Sequence, residues 1–325
     1  MKPVQLPSNR PAERFYRGGA RISGFRGETS AAPREPEDWI ASTTTVHDEP
    51  VLGLTTLPDG RILRDAIEDD PVAWLGDAHV ARWGADTRLL VKLLDAGQRL
   101  PVHAHPHDEF AATHLGRAHG KAEAWYILQG GTVHVGLTRD VGAAELADLV
   151  DRQNVSALLD LLHEVAVVAG DVVWVPPGEL HAIGAGVLLL ELQQPEDLSI
   201  LLEWQDYEID GAAVGHLGLG FELALAAVNR RGRSFAELAG LVSRSPHSGS
   251  AFPAAADEYF RLDRMPVDGP SSIEGGFSVV VVADGDVEIG DGRFSAGASL
   301  LVPEAAGELL VSGAGELLVA RPPAP

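Results

Sequence analysis

The chain has 325 residues, of which 25 are Lys or Arg and 47 Asp or Glu, giving a net charge of −22 with His neutral. That balance excludes a surface built for nucleic-acid phosphates or anionic membranes, both of which need clustered cations. Cysteine is absent, which excludes disulfides, thiolate zinc sites and cysteine nucleophiles; any metal must sit on His, Asp or Glu.

The length predicts roughly two domain-sized units. An apolar content of 45% suffices for a packed core, and 36 Gly with 21 Pro predict the many turns of a sheet-rich fold. No stretch approaches the roughly 18 apolar residues of a membrane span. The first residues show no apolar signal-peptide core, so a cytoplasmic location is expected.

In chain order, residues 1–50 read as loops with short strands, wrapped on something else. Residues 51–56 (VLGLTT) predict a strand, and Asp65 to Val80 a short helix. The apolar run from Thr87 ends at Gly97. Glu123–Leu128 has strand composition and meets Gly130-Gly131, a hairpin signal, before the alternating strand Thr132–Leu137. In residues 142–163 the period changes: Leu146, Leu149 and Val150, then Leu158, Leu159 and Leu162, predict two short helices. Strands are expected again at Val165–Val168, Val172–Val175 and Val187–Leu192. Residues 219–242 read as helix, and Ser245–Ala256 as a linker. Residues 257–325 form a second β-rich block, with hairpin turns expected at Asp284-Gly285 and Asp291-Gly292.

Two glycine-anchored histidine motifs carry the chemistry. The first runs from Gly97 through His103, His105 and Glu109 to Gly116. The second runs from Gly170 through Pro176 and Gly178 to His181. Alternate residues of a strand share a face, so His103 and His105 can hold one metal. The Pro-x-Gly turn re-aims the chain, so His181 can add a third imidazole from a neighbouring strand. Three neutral imidazoles and a carboxylate suit Zn2+, and also Fe2+ or Mn2+.

The spacings G-x5-H-x-H-x3-E-x6-G and G-x5-P-x-G-x2-H resemble the paired motifs of the cupin superfamily. The blocks LLVKLLDAGQRLPVHAHPHDEFA, HGKAEAWYIL and GDVVWVPPGELHAIGAGVLLLELQQPED narrow this. Together they resemble the type I mannose-6-phosphate isomerase family over about residues 87–200, and PEDWIAS (Pro36–Ser42) is similar to a weaker block of it. The resemblance implies a mainly β bicupin fold, with two cupin-type β-barrels and short helical insertions. Residues 1–244 would hold an N-terminal segment and the metal-binding barrel, and residues 245–325 a metal-free, degenerate one. It implies the metal ligands His103 (in place of a family Gln), His105, Glu123 and His181. The general cupin spacing selects Glu109 as the carboxylate instead; the closer match around GKAEAWY favours Glu123. Glu191 would be the acid/base residue, Lys121 would stabilise a developing oxyanion, and Lys92 would face the substrate.

The implied reaction is an aldose–ketose isomerisation, mannose 6-phosphate to fructose 6-phosphate. The implied partner is a small sugar or sugar phosphate, with no nucleic acid or membrane partner expected. The chain departs from the family in two places. Pro101 stands where the family has a phosphate-binding Ser, and Leu201 where it has an Arg. Glu203, Asp206, Glu208 and Asp210 then bring four acids and no base, a pattern that should repel phosphate; Arg230 and Arg231 are candidates to compensate. A metal cupin acting on an unphosphorylated sugar, a cupin oxygenase and a sugar-binding regulatory protein without turnover are the alternatives.

Overall fold

A computed structural model describes residues 1–29 and 32–325. Strands between Glu37 and Arg244 form two antiparallel sheets. One sheet runs Val242–Arg244, Asp171–Val175, Glu123–Gln129, Leu188–Gln193, Leu90–Asp95, Glu37–Ile40. The other runs Ile200–Leu201, His103–Ala104, His181–Ile183, Gly131–Leu137, Leu162–Val167. Leu90–Asp95 and Leu188–Gln193 are buried at every position. Strands covered on both faces read as continuous apolar runs rather than alternations, which is how these two appear in the sequence.

The third sheet runs Val4–Gln5, Ser299–Val302, Ser278–Ile289, Leu309–Arg321, Arg261–Asp268, Gly249–Ser250; Ser271–Ile273 and Gly292–Ser295 attach to its long strands. Its interior is aliphatic, with Val280, Val282, Leu300 and Leu317 essentially fully buried. Burying such a side chain contributes about 1.5–3 kcal/mol. The strand Val4–Gln5 pairs with Leu300 and Leu301, so the N-terminal segment touches this sheet before it reaches the first barrel.

Several expectations are corrected. Gly130-Gly131 does not close a hairpin. Glu123–Gln129 pairs with Asp171–Val175 and Leu188–Gln193, whereas Gly131–Leu137 pairs in the facing sheet; the glycines mark a corner between sheets. Residues 51–56 are turns ending in one isolated bridge at Thr56. The Asp65–Val80 helix is three: Leu63–Asp69, Pro71–Leu75 and Asp77–Trp83, the first break being at Pro71, where Asp70 caps the Ala73 N–H. Residues 219–242 hold only the short helices Phe221–Ala224 and Phe235–Leu238 and a 3-10 turn.

Residues 245–256 are no free linker, because Gly249–Ser250 is a strand and Ala251, Phe252 and Ala256 are buried. Asp284-Gly285 lies inside the strand Ser278–Ile289, at a register shift after Val282. A Cβ on Gly285 would stand 2.2 Å from the Ala314 carbonyl oxygen, so glycine is required there by close approach, not by a turn. A hairpin does form beside Asp291-Gly292, with Gly290 and Asp291 as its loop. The helices Ala143–Asp151 and Val155–Asp160 stand where expected. The helix Ala20–Arg26 was not foreseen. Among the described residues no helix is long and apolar enough to cross a membrane.

Candidate metal centre and active site

Register places the site. Directly opposed residues of an antiparallel pair share a face. Glu191 pairs with Lys92 on one side and Trp125 on the other, and Gln193 pairs with Glu123. In the facing sheet His103 pairs with His181 and with Leu201. His105 follows His103 by two residues, and the turn before His181 is fastened to it, the Gly178 N–H donating to the His105 carbonyl at 2.7 Å. Gly178 has φ +83, and a Cβ there would meet the Ala227 carbonyl oxygen at 2.8 Å, which explains the glycine of the second motif.

The three imidazoles converge. His103, His105 and His181 offer ring nitrogens that all lie within 4.8 Å of one another, and each residue is buried. Each Nδ1 lies at a backbone carbonyl, of Pro101 at 2.8 Å, Leu198 at 2.6 Å and Glu179 at 2.9 Å respectively. A carbonyl only accepts, so each Nδ1 carries the proton and each Nε2 presents a lone pair inward. His105 Nε2 stands 3.0 Å from Glu123 Oε2, and His181 Nε2 stands 3.2 Å from Glu123 Oε1 with no hydrogen-bond partner of its own. Lone pairs facing a carboxylate across a buried gap call for a cation between them. The donor set therefore fits a divalent metal, with the backbone carbonyls orienting the ligands. Glu109 lies exposed on the short helix Asp108–Phe110, away from this cluster.

Burial, reinforced by neighbouring imidazoles, holds the His103 ring well below the usual histidine range, so it stays neutral. Burial and then the Lys121 ammonium bring His105 down to about 4. Burial opposes ionisation of Glu123, but the Lys121 charge and its His partners outweigh it, and the carboxylate stays ionised. Lys121 Nζ lies 3.1 Å from Glu123, 3.2 Å from His105 Nε2 and 3.9 Å from Glu191. Burial works against its charge, and Glu123 and Glu191 restore it. Glu191 moves the other way: burial, then the Glu123 charge, raise it to about 8. Its Oε1 is buried and has no hydrogen-bond partner.

Beside the metal cluster is a cleft that opens to solvent and is lined in part by His103, Lys121, Glu123, Glu191 and Lys92. Five polar lining residues were given no role by the sequence reading: Arg14, Tyr16, Glu37, Asp197 and Ser199. Glu37 accepts from Tyr16 at 2.5 Å, Trp39 at 2.6 Å and Arg14 at 3.2 Å, and Lys92 stands 3.4 Å away. Burial disfavours its charge, yet Arg14 and Lys92 hold it well below the ordinary carboxylate range. The signal for Glu37 was present in the PEDWIAS block, where it stands two residues before the Trp. Arg14 and Tyr16 arrive because Gly18 lies against the strand end: a Cβ on Gly18 would meet the Asp95 carbonyl oxygen at 2.0 Å. Asp95 also accepts from the Gly19 and Arg21 N–H groups.

The four-acid segment needs correction. Glu203 is buried in an ion pair with Arg99 and accepts from the Val102 N–H, while Asp206, Glu208 and Asp210 are exposed; none lines the cleft. Arg230 and Arg231 are exposed and off the cleft, Arg231 pairing with Glu237. Pro101 and Leu201 do line it.

Two antiparallel barrels, one bearing a three-histidine cluster on its inner face, define a cupin-type protein of bicupin architecture. No protein-family model matches the chain. In sequence it is similar to the mannose-6-phosphate isomerase ManA of Bacillus subtilis, 39% identical over 126 residues, which is 37% of this chain; the chain spans 37% of the length of that curated relative. In fold it matches the crystal structure of the Bacillus subtilis mannose 6-phosphate isomerase, with TM-score 0.73 and 21% identity, covering 99% of this chain and 100% of that one. A mannose 6-phosphate isomerase bound with zinc and yttrium matches with TM-score 0.74 and 16% identity, each chain covered completely. Over about a third of its length in sequence, and over its whole length in fold, the chain is similar to mannose-6-phosphate isomerases.

Proposed function

We propose that the protein is a metal-dependent aldose–ketose isomerase of the mannose-6-phosphate isomerase type, acting on a small sugar or sugar phosphate. The observation that carries the reading is the meeting, in one buried cleft, of an unpartnered carboxyl group, an ammonium and a three-histidine cluster. In this reading His103, His105, Glu123 and His181 hold the metal, with Zn2+ as the first choice for a His-rich set and Fe2+ or Mn2+ as alternatives. When bound, the metal polarises the sugar oxygens at the reacting carbons.

The rest falls to side chains. Isomerisation removes a proton from the carbon beside the carbonyl, leaves an enediol, and returns the proton to the adjacent carbon. Glu191 is the acid/base residue: it lines the cleft, its buried Oε1 has no hydrogen-bond partner, and a pKa raised to about 8 lets it hold and release a proton near neutral pH. Lys121 donates to the oxygen on which charge develops. Lys92, held by Glu37 and lying 4.5 Å from the Trp39 ring centre, positions substrate hydroxyls. The division at about residue 245, with the second barrel free of metal, and a cytoplasmic setting are part of the proposal.

The test is exchange of the sugar C2 proton with D2O, followed by NMR, in protein loaded with Zn2+. Wild type is expected to exchange it and Glu191→Gln to lose at least a hundredfold in rate with metal content unchanged. Exchange at the wild-type rate in Glu191→Gln would remove the assigned base.

A further inference from the structure

We infer that the substrate of this cleft is an uncharged monosaccharide, one whose non-reacting end is not phosphorylated and is hydrogen-rich, as in a 6-deoxyhexose. The inference rests on the isomerase reading above and assigns the substrate class of that same site.

The cleft wall mixes polar and apolar side chains, and polar residues in it or beside it have apolar lining residues close by in the chain. Lys92 is followed by Leu94, His181 by Ile183, and His103 is preceded by Pro101 and Leu100. Leu201 stands opposite His103 across the ladder, and the Leu100 N–H donates to the Ile183 carbonyl at 2.8 Å. With Phe15 the cleft has six apolar lining residues, set beside the charged groups and Ser199. Pro101 offers no N–H, and neither it nor Leu201 carries a polar side-chain group.

No cation in the wall is free. Arg14 lies 3.2 Å from Glu37 and 3.4 Å from Asp197, Lys92 lies 3.4 Å from Glu37, and Lys121 lies 3.1 Å from Glu123. With Glu191 the wall carries three cations against four carboxyl groups. A phosphate dianion set against Leu100, Pro101 and Leu201 would lose its hydration with no side-chain donor from these residues, which is costly. A methyl or methylene group would gain from the same contact. The dense ion pairing suits neutral hydroxyls, which can both donate to Glu37 and Asp197 and accept from Arg14 and Lys92.

The experiment compares kcat/KM for mannose, 6-deoxymannose and mannose 6-phosphate in the Zn2+-loaded protein, read by C2 proton exchange. The uncharged sugars are expected to exceed the phosphorylated one by at least tenfold, and 10 mM inorganic phosphate is expected to leave their turnover unchanged. Equal or faster turnover of mannose 6-phosphate would overturn the substrate class while leaving the isomerase reading intact. No exchange with any of the three, in protein shown to retain metal, would overturn the isomerase reading and this inference with it. A Pro101→Ser, Leu201→Arg double variant gives the reverse check: its preference is expected to shift at least tenfold toward the phosphorylated sugar. A folded, metal-loaded variant with an unchanged ratio would count against the apolar lining as the cause.

Discussion

The two barrels solve one architecture in opposite ways. The second fills its interior with Val, Leu and Ile, and its long strands Ser278–Ile289 and Leu309–Arg321 hold the aliphatic core together. The first buries Glu37, Lys92, His103, His105, Lys121, Glu123, His181 and Glu191 around a cleft. Buried charges lose hydration that pairing only partly restores, so the first barrel gives up stability for chemistry and the second does not. A charged interior can sit in a β fold when the rest of the molecule holds it in place.

That contrast can be broken in order of expected effect. The largest concerns the metal: His181→Ala or His105→Ala should lower occupancy at least a hundredfold by elemental analysis, whereas the surface change His247→Ala should leave it unchanged. Equal occupancy in all three would end the assignment. Next, Glu37→Ala leaves Arg14 and Lys92 without their shared partner and should cost about 3–5 kcal/mol in urea unfolding; a loss below about 1 kcal/mol would show that the network is not structurally needed. Leu317→Ala, in the second barrel, should cost about 2–4 kcal/mol with no change in metal affinity, and a parallel fall in affinity would contradict the division of labour.

The smallest effect is a slope. Glu191 is raised from about 4.5 to about 8, so between those values the folded protein binds a proton that the unfolded chain has released. Stability of chelator-treated protein should therefore fall as pH rises through this window, by up to about 1.4 kcal/mol per pH unit. Glu191→Gln should flatten that slope; an unchanged slope would place the titration elsewhere.

The same contrast explains what could be read from the sequence. The meeting of His103, His105 and His181 was legible because period-two spacing and a Pro-x-Gly turn are local features with fixed consequences, whereas Glu123 came from the resemblance of GKAEAWY to a family block, the spacing alone selecting Glu109. Lys92 and Glu191 were found through their blocks, and register shows them side by side. Arg14, Tyr16 and Asp197 were hidden, since nothing local says that residue 14 meets residue 197, as it does at 3.4 Å. The Gly130-Gly131 and Asp284-Gly285 errors share a cause. Glycine pairs announce that the backbone must bend or be approached closely, but not whether the result is a hairpin, a corner between sheets or a bulge. The apolar text of residues 51–56 failed differently: Leu54 and Leu57 are buried without a ladder to join.

The contact of Gly18 with Asp95 has a consequence for anyone handling the molecule. The first twenty residues run from an edge of one barrel to the mouth of the other, and that glycine is the buckle. A bulky fusion ahead of Val4 would load the outer edge of the aliphatic barrel, and trimming past Arg14 would take away part of the cleft wall. Affinity handles therefore belong at the far terminus, and a single methyl group at position 18 should loosen both halves at once.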